Sequence, residues 1–278
     1  MKTILNPIVF LLLLNTGFAQ TIPTKSLYLG QTPPGSTPKI FNLSVDTGYG
    51  LTERVAISPD GKEIYYGEVL NESIRKTKYY SYSHGAWNGP FVLFNDFDAP
   101  ALSARGDTMF LLHFQNHTPY SYFSVRNDTG WTAPSKFWKG INLYYLQKTN
   151  TGNYYASVEN SGISKMVINN ADTAFYSLEA PMNNIGGDFY ISRDDSFIIF
   201  TKQTGDNYKM DLFISFRKKD ATWTYPKSLG STINNSFYNV APYVTSDNKY
   251  LFFIGADTKG SSIYWVQIDN ILDIVKDH

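Results

Sequence analysis

Three carboxylates, Glu53, Asp98 and Asp188, lie in segments that connect similar stretches of this 278-residue chain. Two carboxyl groups held at a set separation can act together, one as a general acid and the other as a nucleophile or base, and this is the chemistry of glycoside hydrolysis. Acidic residues are also common near strand ends without any chemical role. The carboxylates therefore offer a glycoside hydrolase as one hypothesis and a non-catalytic protein as the other.

The remaining residues give little support to other catalytic chemistry. A Gly-x-Ser-x-Gly elbow is absent, and so is cysteine, which excludes thiolate nucleophiles and thiolate metal sites. His113 and His117 have the spacing of a zinc-binding pair, but the stretch between them lacks the glutamate that such a motif requires. We predict no catalytic, cofactor-binding or metal-binding residues apart from the carboxylate hypothesis, and no cofactor.

A repeated phrase organises the chain: a hydroxyl residue, a polar turn and a strand rich in aromatic and aliphatic residues. Four clear copies occupy residues 57–66, 102–111, 191–200 and 244–253, and a weaker copy begins at 148. Aligned on the hydroxyl residue, the copies start at 58, 103, 149, 192 and 245. A period of about 40–50 residues is typical of propeller blades.

One repeat, residues 188–238, illustrates the predicted unit. Four strand-like stretches follow one another, separated by turns such as the one at Asp194 and Asp195. Four antiparallel strands make one blade of a β-propeller. We therefore predict an all-β fold, a β-propeller with five four-stranded blades, and a six-bladed ring stays possible because one repeat is 53 residues long.

The two ends of the chain complement each other. The last repeat has three strands, whereas residues 38–43 near the N-terminus resemble the fourth strand at 226–229. We predict that this N-terminal strand completes the last blade and closes the ring.

The first residues are typical of a secretory signal peptide, with Lys2, a short apolar run and a small-residue stretch that ends at Ala19. We predict a signal peptide at 1–19, a single propeller domain at 20–278, and a periplasmic or secreted protein. The 24 basic and 24 acidic residues balance, so bulk charge favours no nucleic acid. No later segment has an apolar run long enough to span a membrane, and without cysteine no lipid anchor is expected.

The Ser-Pro-Asp-Gly-Lys phrase and its copies, best written in 57–66, 99–111 and 241–253, resemble the TolB-type, WD-like β-propeller repeats of exported bacterial proteins. The stretch from Tyr28 to Gly35 is similar to the start of a group of such proteins from Bacteroidota-type bacteria. The resemblance implies a propeller fold but no particular activity, because such repeats occur in scaffolds, binding modules and enzyme accessory domains.

We therefore expect an exported, non-enzymatic β-propeller that acts as a scaffold or binding module for an unidentified protein or glycan in the bacterial envelope. The alternative is a glycoside hydrolase with carboxylates in the central funnel. The predicted contact face carries the loops between repeats, and its residues are Glu53, Arg54, Asp98, Asp188, Tyr238 and Asn239.

Overall fold

The computed structural model describes residues 21–116, 118–137, 143–169, 172–183, 185–205, 207–258, 260–269 and 272. The predicted signal peptide at 1–19 lies outside these residues. Two single-turn 3-10 helices, Thr24–Ser26 and Tyr28–Gly30, precede the strands, and the other regular elements of the described residues are β-strands. Within the same residues, no helix has the length and apolar character needed to cross a bilayer. The chain is all-β, as the sequence predicts.

The strands form sheets of neighbours in chain order, joined by hairpins. After β1 (Lys39–Ile40), the first sheet contains β2 (Gly50–Ile57), β3 (Glu63–Leu70), β4 (Ile74–Ser83) and β5 (Ala86–Asn95). The second sheet contains β6 (Asp98–Leu102), β7 (Thr108–Gln115), β8 (Thr118–Asn127), β9 (Gly130–Trp131) and β10 (Ser135–Lys136). The third contains β11 (Leu143–Lys148), β12 (Tyr154–Val158), β13 (Gly162–Asn169) and β14 (Asp172–Ser177).

The last seven strands and β1 join in one eight-stranded sheet of two groups. The first group is β15 (Phe189–Ile191), β16 (Phe197–Thr204), β17 (Lys209–Phe216) and β18 (Lys227–Ser228). The second is β19 (Tyr238–Val244), β20 (Tyr250–Asp257) and β21 (Gly260–Gln267), with β1 paired antiparallel to β21. The two groups meet through one parallel residue pair, Met210 with Tyr238.

The repeated phrase forms the hairpin between the first and second strands of a group. In the first copy, Ser58 Oγ donates to Asp60 and accepts from the Glu63 amide, at 2.7 and 2.9 Å. The last copy repeats this pattern with Thr245 and Asp247. The hydroxyl group therefore satisfies the amide at which the second strand begins, which explains why a hydroxyl residue recurs at this place.

The weak copy completes its turn differently. It has no aspartate of its own, and Thr151 Oγ1 and Asn153 Nδ2 instead donate to Asp195 Oδ2 of the following repeat, each at 2.5 Å. Asp195 is fully buried, although its neighbour Asp194 is the residue that caps its own turn.

Successive groups pack face to face through separate apolar clusters. Tyr65 of the first sheet packs with Met109 of the second, and Phe110 of the second packs near Leu143 of the third. The same kind of packing joins the third sheet to β15–β18 and these strands to β19–β21. A further cluster joins the final strands back to the first sheet, with Phe41, Phe252 and Trp265 against Val55, Ile64 and Tyr66.

Candidate functional site

The first strands of four groups each bend four or five residues before the repeated hydroxyl residue. The pairing register breaks in β2, β6, β11 and β19, and a left-handed residue stands within each break: Glu53, Ala99, Tyr145 and Ala241, with φ between 52° and 58°. Bulges of this kind bend a strand and change the direction of its side chains. The strands β2, β6, β15 and β19 all begin at one end of the sheets. We call this end the upper face.

Arg54 follows Glu53 in β2 and reaches Tyr145 of β11. Its side chain is buried, with 2% of the residue exposed, and its guanidinium carbon lies 4.8 Å from the centre of the Tyr145 ring. Burial lowers the pKa of Arg54, while the nearby Asp188, Tyr145 and Glu53 favour its charged form. Its Nε and Nη2 atoms are buried without a hydrogen-bond partner among the described residues. Arg54 therefore links three strands mainly through charge and ring contact.

Asp98 is held in place on two sides. The residue has 0% exposure, its Oδ2 lies 2.5 Å from Arg75 Nη1, and its Oδ1 accepts the Ala99 amide at 2.6 Å. Burial raises the pKa of Asp98 to about 6, against the lowering effect of Arg75. Arg75 in turn lies over the ring of Phe114, 3.8 Å from its centre. Most of the hydrogen-bonding capacity of this carboxylate is already used within the protein.

A glycine in the neighbouring strand makes room for this ion pair. A Cβ atom on Gly67 would lie 1.9 Å from Asp98 Oδ1 and 3.0 Å from the carbonyl oxygen of Thr52. Only glycine therefore fits at this position of β3, and a glycine inside a strand is a recognised sign of such a close approach.

Glu53 and Asp188 share the electrostatic environment of this site. Burial first, and then the negative charges of Asp188 and Asp98, raise the pKa of Glu53 to about 8. Asp188 Oδ2 accepts the amide of Ala241 at 2.9 Å, so this carboxylate connects β15 to β19. The pKa of Tyr145 lies well above its usual value, because of burial first and of Asp188 and Glu53 next. A carboxyl group that keeps its proton near neutral pH, as Glu53 does, could perform acid catalysis.

The other predicted face residues divide into one exposed and one buried side chain. Tyr238 is 41% exposed and its ring stacks edge-on against Phe237, which is 40% exposed, with centroids 4.7 Å apart. Asn239 is fully buried and donates to backbone oxygens of Met210 and Ser236. Asn239 therefore supports the start of β19, where the exposed aromatic pair lies.

The structure thus brings Glu53, Arg54, Asp98 and Asp188 together from three sheets, whereas Tyr238 and Asn239 are the first two residues of β19. Sequence reasoning missed Arg75, Gly67 and Tyr145. A signal for Tyr145 was present, because the position four residues before each repeat hydroxyl is occupied by Arg54, Ala99, Tyr145, Asp188 and Ala241. Aligning the weak repeat on that position would have placed the tyrosine in the site.

The histidine pair offers no metal site in the described part of the chain. His113 Nδ1 lies 2.8 Å from the carbonyl oxygen of Asp96, and its ring packs against Phe97 and Tyr122. His117 lies outside the described residues. Across the described ranges, no group of three or more histidine, aspartate or glutamate residues is placed to hold a metal ion.

Comparison with known proteins bears on the fold. No protein-family model matches the sequence. No curated protein matches it either. Among solved structures, TolB from Acinetobacter baumannii is similar at 15% identity and a TM-score of 0.52, over 78% of this chain and 51% of the TolB chain. A mannose phosphorylase from Leishmania mexicana superposes with a TM-score of 0.47 at 10% identity, over 82% of this chain and 86% of that one.

An oligogalacturonate lyase bound to manganese gives a TM-score of 0.43 at 11% identity, over 81% of this chain and 67% of that chain. These last two likenesses are too distant to carry an argument. This chain spans about half the length of the TolB chain that it matches. At this level of identity the comparison shows the fold alone, which is a TolB-like β-propeller fold.

Proposed function

We propose that the strands form a ring of five four-stranded blades, closed by β1 as the outermost strand of the last blade. Two observations support the proposal. The strands fall into five groups in chain order, and an apolar cluster joins each group to the next and the last to the first. Ser261 Oγ also donates to the carbonyl oxygen of Leu51, at 2.6 Å, across the same junction.

We also propose that a signal peptide at 1–19 precedes a single propeller domain at 20–278 and directs export to the periplasm or the medium. Lys2 and the apolar run that follows support this proposal. Intact mass of the protein secreted by an expressing bacterium would test it, with Gln20 expected as the first residue.

The function that we propose is recognition of a protein or glycan partner in the bacterial envelope by the upper face, without catalysis. The observation that carries it is the exposed pair Phe237 and Tyr238 at the start of β19, on the upper face. Large aromatic side chains with a polar edge are frequent anchors in binding interfaces. Asp98 and Asp188 meanwhile make hydrogen bonds inside the protein, which suits residues that shape a face better than residues that react.

The test is to remove the aromatic pair and measure the retention of partners. The double variant Phe237→Ser, Tyr238→Ser should retain at least about tenfold less of a given envelope component on an affinity column, the loss expected for an interface anchor. The matched control is Tyr225→Ser, because Tyr225 is 81% exposed and lies between Trp223 and β18, away from the loop before β19. Equal retention by the two variants would contradict the proposed face.

A second candidate function is glycoside hydrolysis, and the raised pKa of Glu53 favours it. A carboxyl group that keeps its proton at neutral pH can serve as a general acid, with the side chain of Asp188 or Asp98 as the second carboxyl group. Wild-type protein should then hydrolyse aryl glycosides, and Glu53→Gln should slow the reaction by at least a hundredfold. Wild-type protein without turnover of such substrates would refute this function and leave the binding role in place.

A further inference from the structure

A cleft of about 450 Å³ opens on the upper face beside the charged site. It lies between the hairpin of β3 and β4 and the hairpin of β7 and β8. We call it the Arg75 cleft, and it is lined by Arg75 and Phe114 and by the polar residues Thr52, Glu72, Ser73 and Asn116. Its volume falls in the range of small-molecule sites, about 300–1,000 Å³.

Arg75 is prepositioned in the cleft before any ligand arrives. Asp98 fixes one end of the guanidinium at 2.5 Å and the Phe114 ring supports its flat side at 3.8 Å. The contact from its Nη2 to the carbonyl oxygen of Glu72 is 3.5 Å, which is long for a hydrogen bond. This donor can therefore serve a ligand at little cost, since the side chain has few other conformations to lose.

The rim of the cleft carries polar side chains that are not otherwise engaged. In the part of the chain that the structure describes, the side chains of Glu72, Ser73 and Asn116 make no hydrogen bond. They offer a carboxylate, a hydroxyl and an amide, which together can both donate to and accept from hydroxyl groups.

The charge of the cleft selects against anions. The buried Asp98 neutralises Arg75, so the carboxylate of Glu72 gives the lining a net negative charge. A neutral sugar matches hydroxyl, amide and carboxylate groups next to an aromatic ring and carries no negative charge of its own.

We propose that the Arg75 cleft binds one or two neutral sugar units of a glycan. The proposal rests on the binding role proposed above and gives it a ligand class and a place. In it, Glu72 accepts hydrogen bonds from sugar hydroxyls, Asn116 and Arg75 donate to ring or hydroxyl oxygens, and Phe114 provides the apolar wall.

The experiment uses the mature protein on a glycan array that carries neutral, N-acetylated and uronic-acid oligosaccharides, followed by calorimetric titration with the best neutral oligosaccharide. Neutral glycans should be retained in preference to acidic ones. Asn116→Gly and Glu72→Gly should each weaken the titrated affinity about tenfold, the effect expected when a side chain making two hydrogen bonds is lost.

Asn160→Gly is the matched control. Asn160 also stands at a hairpin tip, between β12 and β13, and has a left-handed backbone like Asn116, with φ of 62° against 50°. Glycine accepts both conformations, so the two variants differ only in the place of the amide that is removed. Asn160→Gly should leave the affinity within about twofold of wild type.

Three results would overturn the proposal: no retention of neutral glycans by folded protein, retention of acidic glycans only, or equal affinities for Asn116→Gly and Asn160→Gly. A blank array together with partner recovery that depends on Phe237 and Tyr238 would refute the sugar site and leave the proposed function standing. A blank array without any such partner would refute both.

Discussion

The sharpest test of the charged site is the substitution Gly67→Ala. The added methyl carbon would lie 1.9 Å from Asp98 Oδ1 and 2.9 Å from its Cγ, whereas side-chain carbons essentially never approach other atoms within 3.0 Å. The carboxylate must therefore move by about 1 Å or more. It has no open direction in which to do so, because it is fully buried and bonded to Arg75 and to the Ala99 amide.

The magnitude follows from what the displacement breaks. Disrupting a buried ion pair costs about 3–5 kcal/mol, and overpacking alone costs about 1–3 kcal/mol. Because the Asp98 pKa is raised to about 6, part of the cost can be avoided by taking up a proton. We therefore expect Gly67→Ala to lower the free energy of unfolding by about 3 kcal/mol at pH 7.5, and by less at pH 5.

The assay is urea denaturation followed by tryptophan fluorescence, with Gly50→Ala as the control. Gly50 also belongs to a strand of the first sheet, but a Cβ atom there would meet nothing within 4 Å. Its substitution should change the stability by no more than about 0.5 kcal/mol. If the two alanine variants unfold within about 0.5 kcal/mol of each other, the close approach of Gly67 and Asp98 does not constrain the site.

Two further predictions concern closure and pH. Phe41→Ala should lower the free energy of unfolding in urea by about 3–5 kcal/mol, because its buried ring lies 5.2 Å from the rings of both Phe252 and Trp265. The control Val45→Ala, at an exposed position, should lower it by less than about 0.5 kcal/mol. Equal losses of stability would argue against closure by this segment. Because the pKa of Glu53 rises from 4.5 to about 8 on folding, the stability of the wild-type protein should fall as the pH increases from 4.5 to 8. In thermal melts, Glu53→Gln should make this fall of stability with pH less steep. An unchanged dependence on pH would exclude Glu53 as its source.

The hairpins could be predicted because their determinants are local. A hydroxyl residue and an aspartate two to four positions later satisfy the turn within one short phrase, as Ser58 with Asp60 and Ser103 with Asp107 do. The weak repeat is different, since its turn depends on Asp195, more than forty residues along the chain. Nothing in its own phrase indicates that partner.

The outermost strands show the limit of strand prediction from residue type. Residues 223–229 are rich enough in strand formers to predict a fourth strand, but only Lys227–Ser228 pair as β18, with an isolated bridge between Arg217 and Trp223. Pro226 has no amide hydrogen to donate, and this interrupts the ladder.

The acids of the site could be predicted because the repeat places its segments at equivalent positions, so that Glu53, Asp98 and Asp188 belong to one region. Their partners could not be predicted in the same way. Arg75 reaches Asp98 from β4, and the room for that contact depends on Gly67 of β3. Such a contact depends on atomic distances between strands, which a repeat period does not encode.

The pairing of β1 with β21 has a consequence for the order in which the protein can mature during its synthesis. Ile40 emerges early from the ribosome but pairs with Tyr264, so it must wait for more than two hundred further residues to be translated. Until then, its own side chain and the edge of the last sheet stay without their native neighbours. Contacts so distant in sequence slow folding and prolong the exposure of unpaired strand edges. Nascent chains halted before Tyr264 should therefore be the ones that chaperones hold longest.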